Sequence, residues 1–130
     1  MKKKILIVED NSDSREIMNL FITSMGHQAI AAKNSYEAIT FAEAEAPALI
    51  FMDIQLPDVD GVKTTAMLKK NPKTSHIPIV ACTACMSALL EEKASKVGIA
   101  TYLIKPVSPP TLKETIEEYT KRLPIREVPS

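Results

Sequence analysis

The chain has 130 residues, 45% apolar and 25% charged, a balance that suits one soluble globular domain and argues against wholesale disorder. At that length roughly two-thirds of the unfolded surface can be buried, so folding needs no disulfide or structural metal. Sixteen basic residues offset sixteen acidic ones, leaving no electrostatic footprint for direct nucleic acid binding or for an anionic membrane.

The charge run Lys2 to Lys4 leads into Ile5 to Val8, an apolar stretch too short for a signal-peptide core and closed at once by Glu9 and Asp10. No stretch approaches bilayer-spanning length, and two cysteines without a targeting signal read as a cytoplasmic protein. Ile5 to Val8 reads as a strand covered on both faces. Ser12 or Asp13 caps the following helix, with Glu16 in the capping-box position for Asp13. Ile17, Leu20, Phe21 and Met25 then share one helical face before Gly26. Gln28 to Ala32 is a weaker second strand. Ser35 caps a second helix carrying Ala38, Ile39, Ala42 and Ala46, and Pro47 follows it. Ala48 to Met52 is the third strand, and Gly61 to Lys70 the third helix, with Val62, Ala66 and Met67 as inward candidates and Asn71-Pro72 as its stop.

Ile77 to Ala81 is the fourth strand. Ser87 to Lys96 is the fourth helix, facing inward through Leu90, Ala94 and Val97, with Gly98 after it. Ala100 to Ile104 is the fifth strand, and Ser108 caps a fifth helix with Pro109 in its first turn and a stripe of Leu112, Ile116, Tyr119 and Leu123. Five β-then-α units imply an α/β, doubly wound parallel sheet with right-handed crossovers and helices on both faces. Residues 1–123 form that domain, and 124–130 read as a short C-terminal tail or linker.

In an open α/β sheet, ligands bind outside the carboxyl ends of the strands where strand order reverses. Glu9 and Asp10 follow the first strand, Asp53 the third, Thr83 the fourth and Lys105 the fifth. If the order is 2-1-3-4-5, all five face one crevice. Taken singly, each is an ordinary loop residue; the constellation is what points to chemistry. Three carboxylates this close repel one another unless a cation neutralises them, and a hard divalent ion such as Mg2+ takes carboxylates, water and a phosphate oxygen. Asp10 and Asp53 are the direct ligands expected, with the backbone carbonyl of Gln55, while Glu9 acts through water. A lysine ammonium and a threonine hydroxyl across the site suit a transferred phosphoryl group. Asp53 is then a carboxylate nucleophile that forms an acyl phosphate. Lys105-Pro106 is a candidate cis peptide that would fix the lysine's approach.

These residues stand in segments that resemble the receiver domain of two-component response regulators, the CheY-like superfamily. The segments are Ile-Leu-Ile-Val-Glu-Asp-Asn (5–11), Phe-Met-Asp-Ile-Gln-Leu-Pro-Asp-Val-Asp-Gly (51–61), Ala-Cys-Thr-Ala (81–84), and Gly98 with Tyr-Leu-Ile-Lys-Pro-Val (102–107). The resemblance spans essentially the whole chain and implies a flavodoxin-like receiver fold. It implies that Asp53 accepts a phosphoryl group from a histidine kinase or histidine phosphotransfer protein, with Mg2+ held by Asp10, Asp53 and the Gln55 carbonyl. It implies that Thr83 then shifts toward the phosphoryl group and Tyr102 turns inward. The surface of the fourth helix, fifth strand and fifth helix would thereby change its affinity for a downstream protein, as a monomer or a phosphorylation-linked dimer. Cys85 and Gln55, two positions after Thr83 and Asp53, occupy places that modulate acyl-phosphate loss in the family.

Cys82-Thr83-Ala84-Cys85 forms a C-x-x-C, but no second ligand pair completes a zinc site, and alternation turns Cys82 away from Thr83. Both thiols read as packing or rim residues. A haloacid-dehalogenase-like phosphatase would carry a second Asp two residues after its nucleophile, where this chain has Gln55. An FMN carrier would want a phosphate loop where Glu9-Asp10 stands. A docking module that no longer switches could lose the polar set without harm to its fold. The expectation is therefore a regulatory phosphoacceptor and not an enzyme, catalysing only its own phosphorylation and dephosphorylation. It is either free-standing or a receiver from a larger hybrid kinase.

Overall fold

The computed structural model describes residues 2–121. Leu123, the domain boundary at 123 and the tail 124–130 lie outside the described residues. Elements alternate strictly: β1 (Lys4–Val8), α1 (Ser12–Ser24), β2 (Gln28–Ala32), α2 (Ser35–Glu45), β3 (Leu49–Asp53), α3 (Gly61–Lys70), β4 (Ile79–Thr83), α4 (Ala88–Val97), β5 (Thr101–Ile104) and α5 (Pro109–Thr120). The strands form one parallel sheet in the order β2-β1-β3-β4-β5, the expected topology. The order reverses between β1 and β3, which places a crevice at their carboxyl ends.

Strand alternation sorts the core into two layers. Leu6, Val8, Ile50, Met52 and Ile79 face α2 and α3 and pack with Ala38, Ala42 and Leu68. Ile5, Ile7, Leu49, Phe51, Val80 and Cys82 face the opposite side, against Ile22, Leu112 and Ile116. The three central strands are buried along nearly their whole length, whereas β5 alternates between half-buried and exposed. Among the described residues no helix is long and apolar enough to cross a membrane.

Several local expectations are corrected. Asn11 caps α1, its side chain accepting from the Ser14 N–H, so the helix begins before Asp13. The buried face of α1 is consequently Met18, Phe21, Ile22 and Met25, while Ile17 and Leu20 are exposed. Asn34 caps α2, and Ser35 is a buried first-turn residue. Ala46 is the left-handed C-cap of α2 and exposed, not part of its stripe. In α3 the buried set is Gly61, Thr64, Thr65 and Leu68, with Val62 and Ala66 half-buried and Met67 exposed. Hydroxyls blurred the apolar period there. Thr64 donates to the Asp60 carbonyl at 2.8 Å, whereas the Thr65 hydroxyl is buried without a partner among the described residues. β4 starts at Ile79 because Ile77 closes a turn onto Thr74 and Pro78 has no N–H to give a ladder.

Candidate functional site

Parallel register sets the level of each strand end. Val8 pairs Met52, Asp53 pairs Cys82, and Thr83 pairs Ile104. Glu9, Asp53, Thr83 and Lys105 therefore emerge at nearly one height, and β3 and β4 extend to include Asp53 and Thr83 as their last residues. Glu9, Asp10, Asn11, Ser14, Asp53, Gln55, Thr83, Ala84 and Lys105 line a cleft of about 360 Å3. All five expected side chains and Gln55 are thus brought together. Three loop anchors hold this mouth. Glu9 N–H donates to Ala32 O at 2.9 Å, Lys105 N–H to Thr83 O at 2.8 Å, and Ile54 N–H to Cys82 O at 3.3 Å.

One carboxylate oxygen from each of Glu9, Asp10 and Asp53 lies within 4.8 Å of the others. Asp10 is exposed, while Glu9 and Asp53 are only 2% and 6% accessible, so two of the three charges sit inside the protein surface. Lys105 answers them. Its ammonium lies 2.5 Å from Glu9 Oε1 and 3.3 Å from Asp53 Oδ2. Burial pushes the Glu9 carboxyl up, but the Lys105 ammonium and the Asn11 N–H outweigh it and hold Glu9 below the usual range. Burial of Asp53 prevails over the hydrogen bond from Gln55 N–H, and with the Glu9 charge added its carboxyl is pushed up to about 6. Burial lowers Lys105, yet the two carboxylates beside it prevail and raise it. The Lys105-Pro106 peptide is cis, as the sequence suggested.

An all-oxygen set of three carboxylates against one ammonium leaves a net charge of −2, which fits a hard divalent cation. Thr83 stands at the cleft wall with its hydroxyl turned onto the loop, donating to Cys85 O at 2.9 Å and accepting from Cys85 N–H at 3.3 Å. Tyr102, on β5, is 37% exposed and outward. Cys82 is buried and Cys85 exposed, both as free thiols; burial pushes the Cys82 thiol up to about 12, far from a reactive thiolate.

Two residues escaped the sequence reading. Arg15 Nη1 donates to the Glu9 carbonyl at 2.8 Å and to the Asp10 carbonyl at 3.3 Å, bracing the acidic loop from α1. Asp58 accepts from the Ser35 and Tyr36 N–H groups at 2.9 and 3.2 Å, joining the loop after β3 to α2. The partner of Asp58 lies 23 residues earlier in the chain, a pairing that no local sequence pattern marks.

The doubly wound sheet with an acidic, lysine-bridged cleft at its switch point defines a receiver-type signalling domain. A family model described as the response regulator receiver domain matches residues 5–117. This chain belongs to that family, and so is a signalling protein of the two-component type and not a conventional enzyme. It is 39% identical over 119 residues to the polar-differentiation response regulator DivK of Brucella anthropi, covering 92% of this chain and 97% of that one. The DivK of Brucella ovis is 38% identical over the same shares. Among solved structures, the chemotaxis protein CheY4 of Vibrio cholerae superposes with a TM-score of 0.87 at 23% identity, covering 92% of this chain and 99% of that one. That likeness is one of fold. The receiver domain of a sensor histidine kinase from Pseudomonas aeruginosa superposes with a TM-score of 0.86 at 25% identity, covering 94% and 100%. That domain was solved with a magnesium ion coordinated in its active-site cleft.

Proposed function

We propose that this protein is a phosphoacceptor switch in which Asp53 takes a phosphoryl group from a phosphohistidine on a histidine kinase or histidine phosphotransfer protein. The supporting observation is the convergence of Glu9, Asp10, Asp53 and Lys105 from the ends of three strands, with Asp53 the buried, raised carboxyl among them. Asp10, Asp53 and the Gln55 carbonyl would hold Mg2+, with Glu9 reaching it through water. Bound there, the ion supplies charge neutralisation for the phosphoryl oxygens and the acceptor.

The chain's own residues do the remaining work. An Asp53 oxygen forms the new O–P bond as the donor's N–P bond breaks, and the ring nitrogen keeps the electron pair. Lys105 leaves its ground-state contact with Glu9 and Asp53 to balance the incoming charge, about −1.5 to −2 at neutral pH. Thr83 exchanges its bonds to Cys85 for a phosphoryl oxygen, and Tyr102 turns inward behind it. The surface of α4, β5 and α5 then presents a different face to a downstream protein, as a monomer or a phosphorylation-linked dimer, in the cytoplasm. Gln55 offers no second acid for turnover on external phosphoesters, which favours a self-limited switch over a phosphatase. Residues 1–123 suffice as the receiver unit in this reading.

Acetyl phosphate or beryllofluoride with Mg2+ tests it by intact mass and amide chemical shifts. The expected result is a single phosphoryl adduct on Asp53, absent in Asp53→Asn and absent with EDTA. Labelling that persists in Asp53→Asn overturns the assignment.

A further inference from the structure

The loop from Ile54 to Asp60 is fastened to two helices at once. At its neck, Gly61 N–H donates to Ile54 O at 2.7 Å. At its end, Asp60 Oδ1 caps α3 by accepting from Lys63 N–H at 2.9 Å. At its crest, Asp58 gives one carboxylate oxygen to Ser35 N–H and the other to Tyr36 N–H, so it closes the first turn of α2 from outside that helix. Asn34 already caps α2 in the usual way, through Glu37 N–H at 2.8 Å. The helix therefore has its own cap, and the Asp58 contacts serve the loop as much as the helix. Behind them, the Ser35 hydroxyl donates to Thr64 Oγ1 at 2.8 Å in a fully buried contact, the Thr64 proton going to the Asp60 carbonyl, and this locks α3 to the same turn of α2. Asp58 is exposed; what desolvation it has pushes its carboxyl up, but the N–H groups of Ser35, Val59 and Tyr36 outweigh that and hold it below its usual range, as a cap should be.

Gln55 lies inside this fastened loop, at the edge of the cleft, with its N–H on Asp53 Oδ1 at 3.1 Å. We propose that Asp58 is a positioning residue for the phosphorylation cleft, holding the loop that carries Gln55 by clamping it to the first turn of α2. The proposal rests on the phosphoacceptor reading for its functional consequence, and on the loop's hydrogen bonds for its physical one. Coupling of this kind is reciprocal. Whatever orders Gln55 at the cleft also holds the amides of Ser35 and Tyr36, and so reaches Tyr36, which is exposed.

The full chain is compared as wild type, Asp58→Ala, Asp58→Asn and Asn34→Ala. Asn34→Ala removes the helix's own cap and leaves the loop clamp, so it controls for a weakened α2. In Asp58→Ala, titration calorimetry should show Mg2+ binding weakened about tenfold, the scale of lost outer-shell support at metal sites. Asp58→Asn, which keeps an acceptor for an amide, should recover to within about threefold because Asn and Asp cap comparably. Amide hydrogen exchange without metal should quicken at Gln55, Ser35 and Tyr36 in Asp58→Ala, and in Asn34→Ala only within α2. Unchanged exchange at Gln55 in Asp58→Ala, or equal loss of Mg2+ affinity in Asn34→Ala, overturns the proposal. If wild type bound no Mg2+, the phosphoacceptor reading would fall, and the exchange comparison would still decide whether Asp58 holds the loop.

Discussion

The two loops that flank Asp53 are built to opposite specifications. The loop after β3, residues 54–60, is pinned by Gly61 to Ile54, by Asp60 to α3 and by Asp58 to α2, and Leu56 packs into the core behind it. The loop after β4, residues 84–87, leaves Ala84, Cys85 and Ser87 exposed, and among the described residues its only tie to the cleft wall is the pair of bonds between Thr83 Oγ1 and the Cys85 backbone. The helices beyond repeat the contrast. α3 buries four residues, one of them bonded to α2 through its hydroxyl, while α4 buries only Ala94. A phosphoryl acceptor and a metal ligand need positions fixed to a fraction of an ångström, whereas a signal needs an element near the low end of local stability. On the phosphoacceptor reading the closely tied loop is the fixed wall of the cleft and the loosely tied one its movable wall, with Asp53 at the seam between them.

The largest expected effect breaks the fixed wall. A Cβ at Gly61 would stand 2.8 Å from Ile54 Cα and press on the Asp53 carbonyl, both of them backbone and unable to swing away. Gly61→Ala should therefore cost about 3 kcal/mol in urea unfolding, the upper part of the range for overpacking a tight site. Acetyl phosphate labelling of Asp53 should fall with it, even at temperatures where the variant is folded. A loss below about 1 kcal/mol would mean the loop is not pinned as described.

The next effect concerns the seam itself, in metal-free protein with EDTA. The folded carboxyl of Asp53 is raised from 3.8 to about 6. Its contribution to stability is therefore complete below pH 3.8 and lost as pH rises through about 6. Asp53→Asn should accordingly be more stable than wild type at pH 7 by about 1–2 kcal/mol, less than the full shift implies because neighbouring groups relax. The gap should close near pH 4, and Mg2+ should narrow it at pH 7 by stabilising wild type alone. Thermal melts across pH 4–8 measure all three; a variant less stable than wild type at pH 7 contradicts the buried repulsion between Asp53 and Glu9.

The meeting of these side chains at the seam was legible in the sequence for a simple reason. Strand-end position is set by the apolar runs Ile5–Val8 and Leu49–Met52, and a boundary error of one residue at β3 or two at β4 does not move Asp53 or Thr83 out of the crevice. The fixed wall was only half legible. Gly61 was read as the start of the third helix, whereas its cap, Asp60, was not singled out. The Asp58 clamp depends on α2 lying beside that turn, a fact of tertiary packing that no local pattern carries. The faces of α1 and α3 were misread for a related cause. Ile17 and Leu20 satisfy the helical period, yet the sheet selects the neighbouring column through Met18 and Ile22, and in α3 two of the four buried positions are threonines. Hydrophobic spacing identifies a helix more securely than the side it buries.

The smallest effect belongs to the movable wall and is the sharpest probe of the contrast. Thr83→Ala removes two bonds that close a local turn with Cys85 and touch neither carboxylate. Its stability cost should stay below about 1 kcal/mol, since a turn bond beside exposed backbone is replaced by water. Asp53 should still accept beryllofluoride, because the fixed wall and Lys105 are intact. What should disappear is the transmitted change. In wild type, beryllofluoride should shift the amides of Ala84 to Ser87, α4 and Tyr102, and in Thr83→Ala those shifts should shrink by more than half while those of Gln55 and Leu56 persist. If Thr83→Ala destabilises the protein as much as Gly61→Ala, the loop after β4 is no looser than the loop after β3. If the α4 shifts survive unchanged, the signal leaves Asp53 by the fixed wall instead, through Asp58 and the first turn of α2.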